Sequence, residues 1–163
     1  MEGLTLCPAA AGDAEEIFAL AWAHVERWED FSLLDRGAVE RWMRRKTELR
    51  IGEYRWVLFR GERAGVFRTN TEEGRLELDD LYLLPPFRGR GIGPALILDA
   101  CRCAGLPAFL YVFRANTRAR MLYERLGFRR AADAGATRII MERPAERSGG
   151  VRSALEEGKA CCV

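Results

Sequence analysis

Leu78-Asp79-Asp80-Leu81-Tyr82-Leu83-Leu84-Pro85-Pro86-Phe87-Arg88-Gly89-Arg90-Gly91-Ile92-Gly93 is the stretch on which the fold of this chain turns. An apolar strand spanning 75–84 stops at Pro85-Pro86, where two residues without N–H groups cannot continue a ladder. Glycines at 89, 91 and 93 then open an apolar helix over 94–103. A strand, a glycine-rich loop and a helix in that order let successive backbone N–H groups converge with a helix N-terminus on an anion, so phosphate binding over 88–93 is expected. A dinucleotide fingerprint starting at Gly89 would need glycine where Pro94 stands. A Walker loop is absent as well, because Gly158-Lys159 is followed by Ala160.

Upstream of this stretch, the period of apolar residues predicts strands over 55–60 and 64–70, joined by a Gly61-Glu62 turn, and a second turn over 71–74 leads into 75–84. Before that meander lie a short strand ending at Pro8 and two helices. The first, 14–28, begins at Asp13 with Glu16 three residues on and has a broad apolar face; the second is capped by Asp35. In the second, Val39, Trp42 and Met43 are expected to face inward and Arg41, Arg44 and Arg45 to be solvated. Downstream come a continuous apolar strand over 108–113, a helix over 117–126 closed by Gly127, and a hairpin of 128–132 with 137–142. The order β-α-α-β-β-β-α-β-α-β-β implies an α/β (α+β) mixed sheet with helices on its faces, in a single domain over 1–143. Residues 144–163, rich in Gly, Ser, Glu and Arg, read as a flexible C-terminal tail.

Composition removes several classes of function. The chain has 163 residues with 26 Lys plus Arg against 24 Asp plus Glu, and a net charge of +2 lacks the clustered excess expected of a nucleic-acid binder. Only Lys46 and Lys159 among the basic residues are lysine. No run approaches a membrane span and no leader precedes Asp13, so the reading is a cytoplasmic protein without membrane or nucleic-acid partners. Cysteines 7, 101, 103, 161 and 162 form no Cys-x-x-Cys pair, and His24 is the one histidine, so reduced thiols and no metal site are expected. On a broad apolar helix face His24 reads as a core or pocket residue, and Trp22, Trp28, Phe31 and Trp42 read as core.

Leu78 to Phe87 followed by Arg88-x-x-Gly91-x-Gly93 resembles the acetyl-CoA-binding motif of the GNAT superfamily of N-acetyltransferases, Gln/Arg-x-x-Gly-x-Gly/Ala. Downstream, Asn116, Ala119, Tyr123 and Leu126-Gly127-Phe128 resemble the strand-loop-helix segment that follows it in that family. The resemblance spans about 4–142 and is specific over 78–128. It implies a mixed, mostly antiparallel seven-stranded sheet flanked by about four helices, and transfer of an acetyl group from acetyl-CoA, without a metal, to a primary amine of a small molecule or peptide. Its small-amine and polyamine-acetylating members are the nearest in pattern, and a homodimer is within the family's habits.

Carried over residue by residue, the resemblance places the coenzyme A pyrophosphate on Arg88, Gly89, Arg90, Gly91, Ile92, Gly93 and Pro94. The main chain of Leu81, Tyr82 and Leu83 would take the pantetheine arm and thioester carbonyl, and Asn116 and Tyr123 would approach from the other side. Pro94 departs from the family by offering no N–H. Tyr123 is implied as the general acid that protonates the departing thiolate. Asp79 matches an acidic position that acts near the acceptor amine in the polyamine-acetylating relatives; it is shorter than the Glu found there, which implies a water between it and the amine. Strict alternation would put Glu77, Asp79, Leu81 and Leu83 on one face of the strand and Leu76, Leu78, Asp80 and Tyr82 on the other, so that Asp79 shares the cofactor face. The helix-borne Cys101 and Cys103 stand beside no base, which favours direct attack in a ternary complex over a covalent enzyme intermediate. A non-catalytic acyl-CoA-binding or regulatory domain on the same scaffold is the alternative.

Overall fold

The computed structural model describes residues 1–145; the tail expected from Pro144 lies, past Ala145, outside the described residues. Seven strands form one sheet in the order β1-β2-β3-β4-β5-β7-β6. They are β1 (Leu4–Pro8), β2 (Arg55–Phe59), β3 (Glu62–Glu72), β4 (Arg75–Leu83), β5 (Ala108–Phe113), β6 (Arg129–Ala134) and β7 (Arg138–Arg143). Helices α1 (Ala14–Trp28), α2 (Arg36–Leu49), α3 (Ile92–Ala104) and α4 (Thr117–Arg125) complete the fold, in the element order read from the sequence. Every strand pair is antiparallel except β4 with β5.

Alternation sorts the sheet residues between two cores. Val57, Phe67, Leu76, Leu78, Leu110, Val112, Ile139 and Met141 pack with Ile92, Leu96, Ile97 and Cys101 of α3. On the opposite face Phe18, Ala21 and Val25 of α1 meet Met43 of α2 and Phe113, while Ile17 meets Tyr54, Trp56 and Val66. The hairpin turns fall at Arg60-Gly61, one residue earlier than the sequence suggests, and at Glu73-Gly74. All four residues have positive φ, the conformation whose twist matches that of the flanking strands.

Two expectations are corrected. Trp42 does not face inward but is 61% exposed, because the buried stripe of α2 runs through Val39, Met43 and Thr47 at helical spacing and leaves position 42 to one side. Nor does β4 alternate without interruption. In the β3–β4 register Arg68 pairs with Asp80 and Thr69 with Leu78, so Asp79 is extruded as a bulge. Leu76 and Leu78 before the bulge, and Leu81 and Leu83 after it, consequently share the α3 core, and Tyr82 packs with α1. Asp79 therefore does not share the face of Leu81 and Leu83; it lies with Asp80 on the α2 side, against Lys46.

Next to the bulge the centre of the sheet opens. β4 and β5 pair only through Leu76 with Ala108 and Glu77 with Phe109, and then part. Beyond Glu77 the β4 edge toward β5 has no strand partner among the described residues.

Candidate active site

Where the two strands part, β4 and the start of α3 form one side. A short 3-10 turn, Pro85–Phe87, brings the chain from β4 to the loop, and Arg88 Nε donates to the Leu83 carbonyl at 2.7 Å, tying the loop back to the strand end. Gly89 and Gly91 have φ of 76° and 78°, a region in which a Cβ is strained, and Gly91 caps α3. The helix thus starts at Ile92, two residues before Pro94, and its first backbone bond runs from Ala95 N–H to the Gly91 carbonyl. Among the described residues the N–H groups of Gly89, Gly91, Ile92 and Gly93 donate no backbone hydrogen bond, while Arg90 closes a turn over Arg88-Gly89. Pro94, third in the helix, costs the helix no bond, because that N–H has no intrahelical acceptor; what is lost is one donor toward an anion. A Cβ on Gly93 would stand 3.7 Å from the Leu81 side chain and 3.9 Å from that of Leu83, so the helix start lies directly against β4.

The opposite wall begins where β5 ends. Asn116 caps α4, its Oδ1 accepting the Ala119 N–H at 3.2 Å, which leaves the side-chain NH2 group free to donate to a ligand. About two turns beyond Asn116, Tyr123 packs edge-on to Phe128 at 6.0 Å between ring centres and joins Leu81, Leu83 and Ala119 against the α3 core. Its hydroxyl has no hydrogen-bond partner among the described residues, and burial pushes its pKa up to about 12. Leu81, Leu83, Gly93, Ala119 and Tyr123 are therefore brought onto one core, whereas Asp79 stands on the far face of β4.

On that far face lies a charged cluster. Asp80 Oδ2 accepts from the Tyr54 hydroxyl at 2.6 Å and Oδ1 from the Tyr82 hydroxyl at 2.6 Å. Arg68, 1% exposed, reaches Asp80, Asp79 and, at 2.7 Å, Glu53. Lys46 Nζ lies 3.2 Å from Asp79 and 4.0 Å from Asp80. Burial by itself would raise the Asp80 pKa, but Lys46, the two phenols and Arg68 outweigh it and hold the carboxyl below its usual range. Burial, reinforced by Asp80, raises the Tyr82 phenol well above its usual value. His24 lies 5.3 Å from the Tyr82 ring and 5.7 Å from that of Phe113, and burial is the main cause that takes its pKa down to about 4. Glu29, one of the carboxylates near the first helix end, is engaged by Thr137 at 2.6 Å and Arg138 at 3.1 Å.

Sequence reasoning passed over Asp80, Arg68, Lys46 and Tyr54. The signal available was a charged residue at an inward strand position in both Arg68 and Asp80, where a solvated side chain is not expected.

Comparison with known proteins gives a consistent picture. The acetyltransferase (GNAT) family matches over residues 14–128. No curated protein matches the sequence. Among solved structures, the PaiA N-acetyltransferase from Thermoplasma acidophilum in complex with coenzyme A is similar at 22% identity and a TM-score of 0.67, over 86% of this chain and 98% of that one. An acetyltransferase from Thermus thermophilus is similar at 22% identity and 0.66, over 86% and 96%. PH1933 from Pyrococcus horikoshii is similar at 15% identity and 0.67, over 88% and 99%. At these identities the likeness to the structures is one of fold.

Proposed function

The chain belongs to the acetyltransferase (GNAT) family, and from that premise we propose that this acyltransferase moves an acetyl group from acetyl-CoA to a primary amine of a small molecule or peptide, by direct attack in a ternary complex. The observation that carries the reading is the parting of β4 from β5 beside a loop in which the N–H groups of Gly89, Gly91, Ile92 and Gly93 donate no backbone hydrogen bond. An extended pantetheine arm needs an unpaired strand edge, and a pyrophosphate needs converging donors at a helix N-terminus.

The residues present fit that co-substrate, which supplies the acetyl thioester. Arg88, Gly89, Arg90, Gly91, Ile92 and Gly93 hold the pyrophosphate, with Pro94 fixing the first helical turn behind them. Backbone groups of Leu81, Tyr82 and Leu83 orient the pantetheine and the carbonyl. Asn116 donates its amide from the opposite wall. Tyr123, whose phenol keeps its proton up to about pH 12, supplies that proton to the leaving sulfur. Asp79, between Arg68 and Lys46, takes the proton that the attacking nitrogen gives up, through a water.

The deciding experiment is calorimetric titration with acetyl-CoA, coenzyme A and desulfo-coenzyme A, followed by thiol release over a panel of amines. Micromolar binding with release on one class of amine is expected. Binding with release on no amine would favour a non-catalytic acyl-CoA-binding domain, and no binding would overturn the reading of the 88–93 loop.

A further inference from the structure

We propose that Lys46 is itself an acetyl acceptor: a self-modification site on α2 that faces the bulge of β4. The inference rests on the acetyl-transfer reading above and adds an internal substrate to it. An acceptor must bring a primary amine to the carboxylate that takes its proton, and the chain already holds one there. Lys46 Nζ donates to Asp79 Oδ1 at 3.2 Å and lies 3.2 Å from Oδ2; Asp79 is the bulged residue of β4, two positions after the last pair with β5 at Glu77 and two before Leu81. The side chain is 27% exposed, so the amine is partly desolvated yet reachable.

The residue type supports the assignment. Of 26 Lys plus Arg, only Lys46 and Lys159 are lysine. Arginine bridges two carboxylates at least as well through its planar fork, as Arg68 does beside it with Asp79, Asp80 and Glu53. What lysine adds at this position is an amine that can be acylated. Facing that amine are Asp79 and Asp80 of β4, Arg68 of β3 and the Trp42 ring 5.8 Å away on α2, with Glu77 and Arg50 contributing at longer range. Burial lowers the Lys46 pKa against the pull of Asp80, which enlarges its neutral, nucleophilic fraction. A tethered amine also reacts without the entropy cost of a second binding event.

The step balances as an ordinary acyl transfer. The thioester C–S bond breaks and an amide C–N bond forms at Lys46 Nζ; the nitrogen's proton passes to Asp79, and the coenzyme A sulfur takes one from Tyr123. The product has lost the Lys46 charge, so Asp79 and Asp80 are left with Arg68 as their remaining close cation.

The test is incubation of the full chain with acetyl-CoA and no added amine, followed by intact-mass measurement and peptide mapping. One acetyl group per chain on the Lys46 peptide is expected, at a rate independent of protein concentration. Lys46→Arg should abolish it, and Tyr123→Phe should slow it by about a hundredfold or more. Transfer to an external amine without any label on Lys46 would overturn the inference and leave the transferase reading intact. Label reaching Lys159 as fast as Lys46, or unaffected by Tyr123→Phe, would also overturn it, since that is uncatalysed acetylation. Failure of the chain to bind acetyl-CoA would remove the transferase reading and this inference together.

Discussion

Arg68 of β3 stands directly opposite Asp80 of β4, with its guanidinium Nε 3.4 Å from the Asp80 carboxylate, at the pair where the register shifts. Desolvating these groups is costly, and the cluster is stable because each partner is satisfied several times over. Asp80 takes two phenols and a guanidinium, and Arg68 spans Asp79, Asp80 and Glu53. The cluster thereby satisfies the charge of the bulged Asp79, two residues beyond the last β4–β5 pair.

Removing one member should therefore be severe. Arg68→Met leaves Asp79, Asp80 and Glu53 without their shared cation and is expected to cost about 3–5 kcal/mol. Urea unfolding measures this directly, and a loss below about 1 kcal/mol would show that the network contributes little.

His24 makes stability depend on mild acid. Its folded pKa near 4 lies below the ordinary 6.5, so the unfolded chain gains a proton first as the pH falls. That contribution is fully present above pH 6.5 and is lost between 6.5 and 4, by about 3 kcal/mol in all. Asp80, also depressed, adds a further loss only as the pH falls from about 3.9 through its folded value. His24→Gln should flatten the upper part of the curve, and the single imidazole should show no NMR titration between pH 5.5 and 7.5, a window set by that folded value of about 4.

Tyr123→Phe is expected to leave coenzyme A affinity within about twofold and to lower kcat by about a hundredfold or more. The ring keeps its contact with Phe128, so a fall in melting temperature is not anticipated. Unchanged turnover would exclude the phenol as the proton source.

Pro94→Ala restores a donor to the anion loop. Its N–H has no intrahelical acceptor, so it is available to a phosphate, and coenzyme A should bind roughly fivefold more tightly, about 1 kcal/mol. Unfolding stability should fall by no more than about 1 kcal/mol from the freer unfolded chain. Weaker binding by calorimetry would mean that the pyrophosphate is not held at this helix start.

The two faces of α2 give a simple contrast. Trp42→Ser, at a 61% exposed position, should change stability by less than about 0.5 kcal/mol, while Met43→Ala, in the core with Phe18 and Val25, should cost about 2–5 kcal/mol. The reverse order would restore Trp42 to the interior.

Much of this architecture was legible in one dimension because its causes are local. Apolar periodicity, Asp35 as a cap, and Pro85-Pro86 as a stop marked the elements within a residue or two, and the Arg88 to Gly93 spacing marked the loop. Trp42 reads as inward because it adjoins Met43 and follows Val39 by three positions, while the arginines around it carry long aliphatic stems of their own. Only the direction of α2's packing partner selects its buried stripe.

The residues by themselves determined the order of elements and the glycine loop between β4 and α3, since each depends on contacts a few positions apart, while Tyr123 as a candidate acid came from the family resemblance alone. The tertiary structure alone decided which face Asp79 occupies and where β4 leaves β5. A bulge moves one residue out of a ladder, and whether it forms depends on the strand across from it and on the groups that can satisfy the displaced charge. Here those are Arg68, twelve positions upstream of Asp80, and Lys46 on a separate helix, 33 positions before Asp79. No local pattern along the chain encodes that meeting, because the free energy that stabilises it arises only when the three elements are packed together.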